Sequence, residues 1–138
     1  MPKQRTTLGK RGKNPHKIPR SELRPVSIPE PDDMMKIYKD LAEQRQFELN
    51  TYTPVRVIHE EAFRSLLDDI LAGKPIRFAP TPRTGFTRRT IWIHRPVLER
   101  AREIARARNM YFSNVILTAL LRYLAKKGVT FEGFPSEF

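Results

Sequence analysis

The stretch that decides the fold is Thr87-Arg-Arg-Thr-Ile-Trp-Ile-His94, in which apolar and polar side chains alternate. Alternation with a period of two indicates a β-strand with one buried face. The inner face of this strand is predicted to carry Ile91 and Ile93. The outer face is predicted to carry Thr90, Trp92 and His94.

Two helices are predicted directly after this strand. Pro96 suits the first turn of a helix, because the missing N–H of proline costs nothing there. Residues 97–108 are amphipathic, and Asn109 tolerates the left-handed backbone that ends a helix. Residues 115–126 form a second helix that is apolar on nearly all sides. The order is therefore strand, helix, turn and helix.

A unit this small cannot cover an apolar second helix by itself, so a partner is expected. The natural arrangement is a two-fold dimer, in which two copies of the strand pair antiparallel and the second helices interlock beneath them. A two-stranded ribbon fits the DNA major groove, where its outward side chains reach base edges. The side chains expected in the dimer core are Ile91, Ile93, Val115, Ile116, Leu120 and Leu124.

Residues 88–127 resemble the ribbon-helix-helix family of DNA-binding proteins. The segment Thr90-Ile-Trp-Ile-His-Arg-Pro96 is similar to the strand of that family and the proline after it. Ile104-Ala-Arg-Ala-Arg-Asn-Met110 is similar to the end of the first helix and its turn, with asparagine at the usual glycine position. Ser113-Asn-Val-Ile116 and Ala119-Leu-Leu-Arg-Tyr-Leu124 are similar to the capped second helix.

The resemblance implies a dimer, a strand that reads the major groove and a phosphate clamp at the start of the second helix. Exposed amides and the helix dipole at such a start bind phosphate. Trp92 departs from the family pattern, in which the central reading position is usually polar or basic. The alternative is that residues 32–79 cover this face and Trp92 belongs to the core. The predicted DNA-binding set is Arg88, Arg89, Thr90, Trp92, His94, Ser113 and Asn114.

The rest of the chain is predicted to surround this unit without joining it. Residues 1–31 are rich in proline and basic side chains, which is typical of a disordered arm. Residues 32–79 form an acidic helix–strand–helix insert, with helices over 32–47 and 59–72 and short strands at 54–58 and 75–78. A linker follows at 80–87, and a tail at 129–138. The predicted fold class is α+β and mostly helical, with a ribbon-helix-helix domain at 88–128 that forms an intertwined dimer.

Charge and composition narrow the class of function. The chain of 138 residues carries 26 Lys and Arg against 15 Asp and Glu, a formal net charge of +11. Its basic ends attract polyanions, of which nucleic acid is the commonest in a cell. No apolar run approaches the length of a bilayer span, so no membrane partner is expected. The absence of cysteine excludes disulfides and thiolate chemistry. The three histidines are isolated from one another, so no metal site is predicted, and neither a cofactor nor enzyme activity is expected.

These features predict a cytoplasmic, nucleoid-associated bacterial protein that binds specific double-stranded DNA as a homodimer, or as a higher-order assembly on DNA. Repression of transcription is the favoured role, and plasmid partition or relaxosome assembly in conjugation is the alternative. A second class is a protein-interaction adaptor, in which residues 32–79 bind a protein partner and the fold only dimerises. A third is RNA binding through the basic arm.

Overall fold

A computed structural model describes residues 16–138, which form an α+β fold that is about half helical. The order is β1, α1, α2, β2, α3 and α4, and a single 3₁₀ turn at Arg20–Glu22 precedes β1. The elements span Leu23–Pro31 (β1), Met34–Leu49 (α1), Val55–Leu71 (α2), Phe86–His94 (β2), Arg95–Ala107 (α3) and Phe112–Ala125 (α4). No helix within residues 16–138 is long and apolar enough to cross a membrane.

The chain consists of two strand–helix–helix units in tandem, an N-terminal unit at residues 23–73 and a C-terminal unit at residues 86–128. In both units the first helix packs against the second. The second helices, α2 and α4, pack against each other, and each also contacts the strand of the other unit. This crossed packing intertwines the two units around a single core.

The two units also end their helices with the same backbone devices. The first helices are followed closely by Asn50 and Asn109, which have φ values of 51° and 55°. The second helices are followed by Gly73 and Gly128, with φ values of 79° and 87°. Residues in this left-handed region end helices, and glycine and asparagine adopt it at the lowest cost. The helix end predicted at Asn109 is therefore confirmed.

The two strands pair antiparallel along their whole length and form a two-stranded ribbon. Leu23 lies opposite His94, Pro31 lies opposite Phe86, and Ser27 and Thr90 face each other at the centre. In this structure the strand paired with β2 is therefore β1 of the same chain, where a second copy of β2 was expected. The position expected for a second subunit's strand is occupied by β1 of the same chain.

The strand β1 lies in the segment that was expected to be a disordered arm. Its prolines stand at positions 25, 29 and 31, which share one parity along the strand. Residues of one parity direct their backbone groups to the same edge of an antiparallel ribbon. At positions of this parity a backbone N–H can point away from β2, so a proline there removes no hydrogen bond from the ladder. The same prolines leave the free edge of β1 without donors at these positions, which blocks pairing with another strand. The part of the predicted arm at residues 1–15 lies outside the described residues.

The expected dimer core is buried within one chain. Between 0% and 3% of each of these side chains is exposed, namely Ile91, Ile93, Val115, Ile116, Leu120 and Leu124. The premise that α4 needs a second copy to cover it is wrong, because α2 and β1 contact it from within the chain. Val26 and Ile28 of β1, which are 3% and 0% exposed, complete the inner face of the ribbon.

Residues 32–79 are half of the fold rather than an insert. The predicted strand at 54–58 is wrong, because α2 begins at Val55 and includes residues 55–58, with Pro54 at its N-cap. The predicted strand at 75–78 is also absent, since the chain from 74 to 80 has no regular secondary structure. The β-branched residues within 55–58 favour a strand locally, but the helical spacing of apolar residues continues through them. The packing of α2 therefore overrides the local strand preference. The helices predicted at 32–47 and 59–72 correspond to α1 and α2.

Polar contacts also join the two units. The Tyr38 hydroxyl of α1 donates a hydrogen bond of 2.7 Å to the backbone carbonyl of Leu120 in α4. Glu61 of α2 accepts from both Arg45 and the hydroxyl of Tyr123. The Glu61 carboxyl has a lowered pKa, mainly because Arg45 donates to it. These contacts fix α4 relative to the N-terminal unit.

We expect Ile28→Ala to lower the free energy of unfolding by about 2–5 kcal/mol, because it leaves a cavity beneath the ribbon. The matched control is Ser27→Ala on the exposed side of the same strand, which should change stability by no more than about 0.5 kcal/mol. Urea unfolding followed by circular dichroism measures both. Equal and small effects would show that β1 does not complete the core.

We also expect the thermal unfolding midpoint to be independent of protein concentration, since one chain buries its own second helices. An obligate dimer would gain stability with concentration by mass action. Scans across a hundredfold range of concentration, with sedimentation at each end, test this. A midpoint that rises with concentration would contradict folding as a monomer.

Candidate nucleic-acid interface

The surface of the ribbon that faces away from the helices is the candidate site, and we call it the outer face. Along β2 the buried Ile91 and Ile93 alternate with the exposed Thr90 and Trp92, as the sequence pattern predicts. Cross-strand neighbours come from β1, where Pro25 lies opposite Trp92 and Ser27 lies opposite Thr90. The exposed members of the outer face are Pro25, Ser27, Arg88, Thr90 and Trp92.

Trp92 is 42% exposed and lies at one end of the outer face. The guanidinium of Arg20 lies 5.6 Å from the centroid of the indole ring, within range of a cation–π contact. The alternative in which residues 32–79 bury Trp92 is therefore wrong. The indole presents apolar surface and one N–H donor, beside a cation, at the surface of the ribbon.

Arg88 lies towards the other end of the outer face and is held loosely. Its Nη1 approaches the carbonyl oxygen of Ser27 at 3.4 Å and the hydroxyl of Ser27 at 3.5 Å. These are long contacts in an exposed position, so they hold the guanidinium weakly. Arg88 can therefore turn towards a ligand while its backbone stays fixed in the ribbon.

Two of the β2 residues that were predicted to bind DNA, His94 and Arg89, are not among the exposed residues of the outer face. His94 is half-buried at the end of β2, where its backbone N–H lies 3.4 Å from a carboxylate oxygen of Glu60 and the residue occupies the N-cap of α3. Arg89 lies opposite Ile28 on the inner side of the ribbon. Strand parity therefore turns the Arg89 side chain towards the core and away from the outer face, and its contact with DNA stays a prediction.

The inner side of the ribbon contains one buried acid. Glu30 is 1% exposed, and neither of its carboxylate oxygens has a hydrogen-bond partner among the described residues. Burial raises the pKa of the Glu30 carboxyl to about 7, and the positive charge of Arg89 opposes this shift. At neutral pH this carboxyl, which lies beneath the outer face, is divided between its two protonation states.

The start of α4 differs from the predicted phosphate clamp. The helix begins at Phe112 with Tyr111 at the N-cap, so neither Ser113 nor Asn114 caps it. Asn114 is buried, and its side-chain Oδ1 lies 3.3 Å from the hydroxyl of Thr81. The Asn114 side chain holds the segment between the units, and its contact with phosphate stays a prediction. Ser113 is half-buried in the first turn, and its contact with phosphate stays a prediction.

Sequence reasoning missed Thr118, which anchors the same segment. Its hydroxyl accepts the backbone N–H of Ala79 at 2.8 Å and donates to the carbonyl of Asn114 at 2.7 Å. A threonine within an apolar helix was the available signal, because a buried hydroxyl requires a partner. The connection between the units is thus fixed along α4.

The first turn of α2 lies beside the outer face. An open cavity of about 140 Å³ is lined by Val55, Arg56, Thr90 and Trp92, among others. Arg56 is not free to bind a ligand there, since its guanidinium contacts the carboxylate of Glu60 and the carbonyl of His16. His59, on the same helix, is buried, and burial lowers its pKa to about 4, so it is neutral at pH 7.

The described residues therefore bring together one exposed ribbon surface and no cluster of metal ligands. No group of three or more His, Cys, Asp or Glu side chains within residues 16–138 could hold a metal ion. Comparison of the chain with protein-family models, with curated proteins and with solved structures finds no match.

Glu30 gives a testable dependence of stability on pH. The folded chain retains a proton on Glu30 between pH 4.5 and about 7 that the unfolded chain has lost, so stability falls as the pH rises through this window. His59, with a pKa lowered from 6.5 to about 4, has the opposite effect between those values. Glu30→Gln mimics the protonated acid. It should therefore remove the fall in stability that Glu30 causes and leave the effect of His59 unchanged.

We therefore expect the stability of Glu30→Gln relative to the original chain to increase from pH 5 to pH 8, by up to about 3 kcal/mol. Urea unfolding at four pH values measures the difference. Ser27→Ala, at an exposed position of the same strand, removes no titratable group and should give a difference that does not vary with pH. A constant difference for Glu30→Gln would contradict the raised pKa.

Proposed function

We propose that this protein is a single-chain ribbon-helix-helix protein that binds double-stranded DNA sequence-specifically, with repression of transcription as its biological use. The outer face of the ribbon would enter the major groove. The observation that carries the proposal is an exposed two-stranded ribbon whose outward side chains can donate, accept and make apolar contacts. A two-stranded ribbon has the dimensions of the major groove.

The chemistry of the outer face favours bases as the ligand. An arginine such as Arg88 can donate to the O6 and N7 atoms of guanine, and a threonine such as Thr90 can both donate and accept. The indole of Trp92 can contact the methyl group of thymine. Backbone pairing holds all three residues in one strand, so their spacing along a groove is fixed before binding.

The distribution of charge supports a polyanionic ligand. The C-terminal unit at residues 86–128 contains ten Lys and Arg against two Glu, which gives it a formal charge of +8. Several of these side chains are exposed along α3, which directly follows β2. Basic side chains beside an inserted ribbon would contact phosphates and fix its register on the duplex.

The adaptor alternative has less support, because residues 32–79 pack into the core with α4 and do not form a separate binding segment. RNA binding requires a different recognition surface, since the deep, narrow major groove of an RNA duplex does not admit a ribbon. Competition with an RNA duplex of the same sequence therefore separates the proposed function from general affinity for polyanions.

The test uses a duplex selected from a random library and measures affinity by fluorescence anisotropy. Arg88→Ala and Thr90→Ala should each weaken binding by about 1–3 kcal/mol without lowering the melting temperature. Arg64→Ala on the exposed side of α2 and Thr130→Ala in the C-terminal tail are matched controls that delete the same groups elsewhere. Equal losses in variants and controls would contradict binding through the outer face.

A further inference from the structure

We infer that one chain of this protein recognises a single non-palindromic duplex site, most of whose base preference comes from β2. This inference rests on the proposed function and adds the symmetry of the DNA that the protein takes. Two identical subunits present identical reading residues and therefore select two-fold symmetric sites. Here both strands of the ribbon belong to one chain and differ in sequence.

The register of the ribbon identifies the positions that two identical strands would make equivalent. Ser27 and Thr90 are directly opposite at the centre, so they correspond to each other. Two residues before each of them, β1 has Pro25 where β2 has Arg88. Both of these residues are exposed on the outer face. Arg88 can recognise guanine through its guanidinium, whereas the side chain of Pro25 has no polar group.

The positions two residues after the centre differ in the same sense. They are occupied by Pro29 in β1 and Trp92 in β2. Pro29 is fully buried, whereas Trp92 is 42% exposed with Arg20 beside it. Of the three corresponding pairs, only Ser27 and Thr90 have similar chemistry. The β1 side of the outer face therefore offers one hydroxyl, and the β2 side offers a guanidinium, a hydroxyl and an indole.

Charge reinforces this difference between the units. Residues 23–73 contain six Lys and Arg against ten Asp and Glu, a formal charge of −4, whereas residues 86–128 have a formal charge of +8. Phosphates beside residues 23–73 would meet a unit of net negative charge, and those beside residues 86–128 would meet a unit of net positive charge. Binding in one orientation is consequently favoured, because the phosphate contacts that set orientation are unevenly distributed.

The experiment is a selection from random duplex DNA with the full chain, followed by measurement of the number of chains per selected site by sedimentation. We expect a non-palindromic motif with one strongly and one weakly specified side, bound by one chain. Thr90→Ala should relax discrimination on the strong side roughly tenfold. Ser27→Ala, its counterpart across the ribbon, should relax only the weak side.

A gain-of-function variant provides a further test, because a new base preference cannot result from a loss of folding. Pro25→Arg, at an exposed position, places on β1 the side chain that β2 has at the corresponding position. A second selection with this variant should add a guanine preference on the weak side and make the motif more symmetric. An unchanged motif would contradict the assignment of the weak side to β1.

The outcomes separate this inference from the proposed function. A palindromic motif, or two chains on each selected site, overturns the inference and leaves DNA binding intact. Failure to enrich any duplex sequence, or equal affinity for duplex RNA, overturns the proposed function itself. An asymmetric motif with one chain per site, altered on opposite sides by Thr90→Ala and Ser27→Ala, supports both.

Discussion

Antiparallel pairing of β1 with β2 is the constraint on which the rest of the structure depends. It closes two strand–helix–helix units into one body, because each strand lies over the second helix of the other unit. Without β1, the inner face of the ribbon would lose Val26 and Ile28, and α4 would expose apolar surface. The same pairing creates the outer face, so stability and the candidate interface have a single origin.

The second half of the chain was predictable because its patterns are local. Alternation in β2, amphipathicity in α3 and the left-handed end at Asn109 each depend on a few neighbouring residues. The strand β1 was not predictable in this way, because Pro25, Pro29 and Pro31 resemble a disordered segment until the partner strand is known. Tertiary pairing determines that structure, and composition alone does not reveal it.

The candidate site could likewise be predicted only where it depends on the local sequence pattern of β2. Strand parity placed Thr90 and Trp92 correctly on the exposed side, and the same parity, applied to Arg89, would have turned that side chain inwards. The contacts of Asn114 could not be deduced, since they depend on the path of the segment at residues 72–85 along α4. The contribution of β1 to the outer face was missed for the same reason as the strand itself.

The most direct measurement uses the absence of cysteine from the sequence. Ser27→Cys and Thr90→Cys together place two thiols directly opposite each other at the centre of the ribbon, within the span of a disulfide. After oxidation, non-reducing electrophoresis and intact mass should show a disulfide-linked monomer, and neither single variant should form one. A covalent dimer of the double variant in place of that monomer would show that the strands pair between copies and would contradict the account.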